Sequence, residues 1–204
     1  KDAAGNLSVA SNTATITTLS SSVTYCTSQG NSTADEKIGK VVFGTINNTS
    51  TGTAGYENFT SLSTNVTRGT AYTITITPSW TSTKYKEGYA VWIDYNRDGD
   101  FLDTGEKVWT KAASTTTPVS GTFTIPATAT LGTTRMRVQM KYNAIPTSCE
   151  SFSYGQVEDY TVNIVSTARE ESFNEISFTL YPNPVDGDIL NIKNLVSENS
   201  NYSI

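Results

Sequence analysis

From Val23 to Val165 the chain is built of short runs in which apolar and polar residues alternate, each run ended by turn residues. The runs are KVVFGTI, AYTITITPSW, GYAVWIDYN, KVWTKA, VSGTFTIP, TRMRVQMKY and DYTVNIV. In AYTITIT, Tyr72, Ile74 and Ile76 share one face and threonines hold the other. In TRMRVQM, Met136, Val138 and Met140 face one way, and Arg135, Arg137 and Gln139 the other. Successive strand side chains point to opposite sides of a sheet, so a period of two marks strands with one covered face. No window carries the helical period. Many short strands at regular spacing predict an all-β fold, an antiparallel β-sandwich that is jelly-roll-like.

Composition agrees. Only 16% of residues are charged, and the remainder is rich in Thr and Tyr, which suit pleated sheets. The formal net charge is −5. One window, DYNRDGDFLDTGE from Asp94 to Glu106, holds five carboxylates and Arg97, a net −4, which leaves −1 for everything else. The acidity is therefore local. No basic footprint for nucleic acid is present, and no apolar run is long enough to span a membrane.

The acidic window fits D-x-N-x-D-G-D. Asp94, Asn96 and Asp98 supply oxygens at alternate positions, and Gly99 permits the sharp turn that wraps a chain around an ion. Asp100 offers its carbonyl or its carboxylate. Oxygen ligands at this density predict calcium rather than zinc or copper. An EF-hand closes with Glu at the twelfth position, but Gly105 stands there and Glu106 is thirteenth. The flanks, AVWI and KVW, read as strands. A calcium loop between β-strands is expected, with Asp103 and Glu106 closing the coordination sphere. The alternative is a solvated acidic hairpin without an ion.

There is no histidine, which excludes Ser-His-Asp and Cys-His catalysis and His-ligated zinc. The two cysteines, Cys26 and Cys149, lack metal-ligand spacing. A disulfide in an exported protein and two buried free thiols are the competing readings. In YGQVEDYTVNIV, Glu158 and Asp159 are neighbours on a strand, so they point to opposite faces and cannot act as an acid–base pair. One of them is expected in an ion pair, with Arg135 or Arg137 as candidate partners, or near the acidic loop.

The ordered set TYC, IGKVVFGTINNTS, GYENFTS, VTRGTAYTITIT, YAVWIDYNRDGDF, GEKV, FTIPATATLGTTRMRV, SCE and GQVEDYTV resembles the GEVED domain of secreted Bacteroidetes proteins, over residues 23–165. Gln156 replaces the first Glu of the name-giving motif, so any charge pairing by that Glu is lost here. The resemblance implies a β-sandwich accessory domain and does not imply an activity of its own. It also favours a Cys26–Cys149 bridge. Residues 1–20, with DAAGNLSVASNTATITTL, resemble the last strand of a fibronectin type III domain, followed by a Ser-rich joint. After a charged linker at 166–175, residues 176–204 resemble the start of a type IX secretion C-terminal sorting domain, a short partial β-domain. Tyr181, Pro182, Asn183 and Pro184 are its informative motif. That likeness implies cargo for the outer-membrane translocon and its shuttle, released or held at the cell surface.

Two classes of function are therefore expected to compete. The first is a non-catalytic, calcium-stabilised extracellular module serving adhesion, glycan contact or spacing. Trp80, Tyr85, Trp92 and Trp109 are its candidate sugar-stacking residues, with core packing the competing role for Trp92 and Trp109. The second is an accessory domain of a secreted hydrolase whose catalytic domain lies upstream. Carboxylate-only glycoside hydrolysis needs no histidine, but most carboxylates here belong to one metal-like loop.

Overall fold

The computed structural model describes residues 23–166 and the backbone of two later strands. The chain divides into two compact units, Lys1–Ser166 and Thr167–Ile204. Residues 1–20, most of the expected linker, and Pro182, Asn183 and Pro184 lie outside the described residues. In the second unit β11 (Phe178–Tyr181) pairs antiparallel with β12 (Asn191–Asn194), with Leu180 opposite Ile192. Tyr181 ends β11.

The described part of the first unit contains strands and no helix. In order they are β1 (Gln29–Ser32), β2 (Glu36–Phe43), β3 (Ile46–Thr49), β4 (Tyr56–Thr67), β5 (Ala71–Trp80), β6 (Glu87–Ile93), β7 (Lys107–Ser114), β8 (Val119–Thr124), β9 (Gly132–Tyr142) and β10 (Ser151–Val165). They form a β-sandwich. One sheet has four strands in the order β3-β2-β5-β8, and the other six in the order β1-β10-β9-β6-β7, with β4 also on β10. The run KVVFGTI is not one strand. Gly44 takes a left-handed φ of 55° and turns the chain between β2 and β3.

All pairings in the sandwich are antiparallel except two. β1 and β4 both run parallel to β10. The length of β10 accommodates both: β1 takes Ser151 to Tyr154, and β4 takes Val157 to Val165.

The core lies between the sheets. Ile38, Val41 and Phe43 of β2 and Ile74 and Ile76 of β5 meet Tyr89, Val91 and Ile93 of β6, Met136, Val138 and Met140 of β9, and Tyr160, Val162 and Ile164 of β10. Each of these alternating positions removes apolar area from water, worth about 25 cal/mol per Å².

The opposite face of the larger sheet is not a solvent face, as strict alternation would make it. Arg137 is 2% exposed and Gln139 0%. All seven residues of β6 are buried. The sheet is covered on this side by the segment at Tyr25–Ser28 and by the segment ending at Glu150. Both hydrogen-bond onto it. A second small cluster of Ala90, Trp92 and Phe101, with Tyr25 packed against it, lies here.

Candidate metal centre

The acidic loop spans the gap from the end of β6 to the start of β7. Its root is fixed by main-chain bonds. Ile93 N donates to Glu106 O (2.9 Å), and Asp94 N to Arg135 O (3.1 Å). Thr134 Oγ1 donates to Asp94 O at 2.6 Å. Asp94 is fully buried, and its carboxylate organises the turn. Oδ1 accepts Arg97 N at 2.5 Å, and Oδ2 accepts Gly99 N at 3.1 Å. Tyr25 Oη is the carboxylate's third donor, bonding to Oδ2 at 2.7 Å.

The same device then repeats every second residue. Asn96 Oδ1 accepts Asp98 N, Asp98 Oδ1 accepts Asp100 N, and Asp100 Oδ1 accepts Leu102 N, at 3.0, 3.2 and 2.8 Å. Asp and Asn side chains bond readily to the backbone two residues on, so their alternation coils the loop. Gly99, at φ 99°, lets the coil tighten; a Cβ there would come within 2.4 Å of Val23 Cγ1.

This coil gathers the acids of the loop tip, exposed Asp98 and Asp103 and half-buried Asp100. Carboxylate oxygens of Asp98, Asp100 and Asp103 lie within 4.8 Å of one another. Oxygens bound to one calcium at 2.3–2.6 Å are separated by at most about 5 Å, so the trio fits a shared ion. Asn96 Nδ2 donates to Asp98 Oδ2 and Asp103 Oδ2, at 2.7 and 2.6 Å, drawing the two carboxylates together. That bond holds the Asp98 carboxyl below its ordinary value. Desolvation, and then the charge of Asp98, pushes Asp103 up.

Asp94 and Glu106 stand apart from this trio. Both are buried, at 0% and 2% exposed. Glu106 Oε1 accepts Tyr95 N at 2.8 Å, while its Oε2 is buried without a partner. Burial chiefly, and also the charge of Asp94, pushes Glu106 up to about 7. The six predicted ligands thus fall into three clustered carboxylates, one amide between two of them, and two buried acids tied to the loop's main chain.

The loop is joined to the rest of the larger sheet through the covering segments. The Cys26–Cys149 disulfide links those segments, with Cα atoms 5.5 Å apart. The Arg135 guanidinium lies 4.3 Å from the centre of the Tyr25 ring, whose hydroxyl reaches Asp94. Behind it, Arg137 forms a buried two-pronged pair with Asp159: Nε to Oδ1 and Nη2 to Oδ2, each 2.8 Å. Arg137 Nη1 also donates to Cys26 O and Ser148 O, at 2.9 and 2.8 Å. Tyr56 Oη adds a bond to Asp159 Oδ2 at 3.1 Å. The guanidinium sits 5.1 Å from the Phe101 ring, within the acidic loop itself.

Glu158 and Asp159 do point to opposite faces. Asp159 takes the ion pair on the covered outer face. Glu158 faces the core, where Tyr160 Oη donates to its Oε2 at 2.5 Å. Burial pushes the Glu158 carboxyl up to about 7. Gln156 has no charged partner. Its Oε1 accepts Ile38 N of the facing sheet at 2.9 Å, and its Nε2 donates to Ala54 O at 3.0 Å.

Trp92 is not available to a sugar, being 2% exposed and packed with Ala90 and Phe101. Trp109 packs half-buried against the main core. Packing, the competing role expected for Trp92 and Trp109, is the one observed; alternation alone could not say what covers the second face of the sheet.

The family model described as the GEVED domain matches residues 88–163, from β6 to near the end of β10. The match takes in the acidic loop, Arg137, Cys149 and Asp159. No curated protein matches the chain.

Proposed function

We propose that the sandwich is a non-catalytic, calcium-stabilised extracellular module of a multidomain protein, serving adhesion, glycan contact or spacing. The observation that supports this reading most is the convergence of Asp98, Asp100 and Asp103 at the loop tip. Calcium there would neutralise three carboxylates that otherwise repel one another, and would lock a loop that reaches both sheet and disulfide segments. Asn96 would join by turning its amide oxygen inward. Held this way, the ion is a staple rather than a switch, because the loop ends in strands and not in hinged helices.

The disulfide and the GEVED match fit an oxidising, extracytoplasmic setting. Export through the type IX translocon is the route the YPNP motif at Tyr181 suggests. Deleting residues 176–204 from the parent protein tests the route: the shortened protein is expected to stay in the periplasm, and undiminished surface display would refute it. The calcium reading is tested by equilibrium dialysis. One ion per chain is expected, and Asp98→Asn/Asp103→Asn is expected to retain none. Equal retention by the variant would refute it.

A further inference from the structure

Away from the acidic loop, a cleft of ≈ 200 Å³ is lined by Asp35, Glu36, Tyr85, Tyr142 and Tyr154. Three features make it unusual. Its tyrosines stand edge to face: Tyr85 against Tyr142 at 5.8 Å and 86°, and Tyr142 against Tyr154 at 6.2 Å and 87°. Tyr142 and Tyr154 remain 43% and 45% exposed, so the aromatic rim is open to a ligand. And Glu36, which lines the cleft, is 3% exposed yet has a buried Oε1 with no hydrogen-bond partner.

A second acid lies behind the first. Glu87, fully buried, accepts a long bond from Trp80 Nε1 (3.4 Å) with one oxygen and leaves the other unpartnered. Trp80 is the strand partner of Glu36, and Tyr142 is the strand partner of Glu87. Among the described residues neither acid forms an ion pair. The nearby Lys84 is turned to the Trp80 ring, 5.9 Å from its centre. Buried carboxylates without a countercharge are costly: burial pushes both acids up, Glu87 to about 7, and a cation in the cleft would offset that cost in place of a proton.

We propose that this cleft binds a primary ammonium on an aliphatic stem, the group a lysine side chain of a partner protein carries. Tyrosine rings attract cations through their faces and cover the stem, and the Glu36 carboxyl at the cleft wall supplies the acceptor and the countercharge. Mutually perpendicular rings offer no flat platform for a sugar. A hard metal ion would want six or more oxygens, whereas these walls are mostly rings.

The test titrates the 204-residue chain with Nα-acetyl-lysine methylamide, followed by NMR of the tyrosine rings. The norleucine analogue, with the same stem and no ammonium, is the control. Saturable shifts at Tyr85, Tyr142 and Tyr154 are expected, with the analogue roughly ten-fold weaker. Glu36→Gln and Tyr142→Ala should each weaken the lysine probe by a similar factor while melting as folded protein. Tyr154→Ala, at an exposed position, carries the same expectation if Glu36→Gln does not fold. Equal response to both probes, unchanged binding in the variants, or glucose shifting the same rings as strongly would each overturn the proposal.

Discussion

At the residue scale, Glu158 and Asp159 of the GQVED motif are buried acids with separate duties. Asp159 neutralises Arg137 in a site sealed from water. Asp159→Asn leaves that guanidinium without its charge partner, and removing one member of a buried pair costs about 3–5 kcal/mol. Urea unfolding should show a loss of that size, and a loss below about 1 kcal/mol would contradict the pairing. Gln156 needs both halves of its amide, one to accept Ile38 N and one to donate to Ala54 O. Gln156→Glu therefore weakens the fold by about 1–3 kcal/mol, although it would complete a GEVED-like motif, because a carboxylate cannot donate. Glu158 gives a pH signature. Its carboxyl is raised from 4.5 to about 7, so between those values the folded state holds a proton that the unfolded state has lost. Its contribution is complete below the lower value and is lost as pH rises through the upper one. Glu158→Gln should flatten this fall and stabilise the domain at pH 8 by up to roughly 3 kcal/mol. A parallel pH profile in wild type and variant would contradict the assignment. The face each acid occupies was legible from strand alternation. Gln156's partners were not, because they lie 118 and 102 residues away and are chosen by how the sheets meet.

At the element scale, the covering segments convert an open sheet face into an interior. β6 shows the result: Glu87 through Ile93 is buried on both sides, with Val91 and Ile93 in the main core and Ala90 and Trp92 under the second cluster. The bridge that links these segments closes 123 residues, worth about 4–5 kcal/mol in the chain-entropy model. Cys26→Ser/Cys149→Ser should lose stability of that order, and the melt under reducing conditions should match the double variant. Wild type melting alike in oxidising and reducing buffer would contradict the account. Close approach fixes the β1 edge as well: a Cβ on Gly30 would lie 1.9 Å from Gly155 O. Strands were legible because each writes its own period. The covering was not, since Tyr25, Cys26 and Ser148 are too short a set of contacts to leave a period.

At the scale of the whole molecule, the acidic loop, the buried Arg137–Asp159 pair and the disulfide form one connected system on one face of the sandwich. Phe101 lies under Arg137, Tyr25 spans from the covering segment to Asp94, and Cys26 O accepts from Arg137. An ion at the loop tip would therefore stabilise more than the loop. The D-x-N-x-D-G spacing was legible because Asx turns are local. The separation of Asp94 and Glu106 from the loop-tip trio was not, because it follows from how deeply the strand ends are buried. The most direct test is a thermal melt of the chain in excess calcium and in chelator, paired with elemental analysis. An ion that binds only the folded state at a hundredfold excess over its dissociation constant adds about 2.7 kcal/mol, a rise in midpoint of roughly 5–10 °C. The account predicts that rise in wild type and its absence in Asp98→Asn/Asp103→Asn. Identical midpoints with and without calcium, and no calcium retained by the protein, would contradict it.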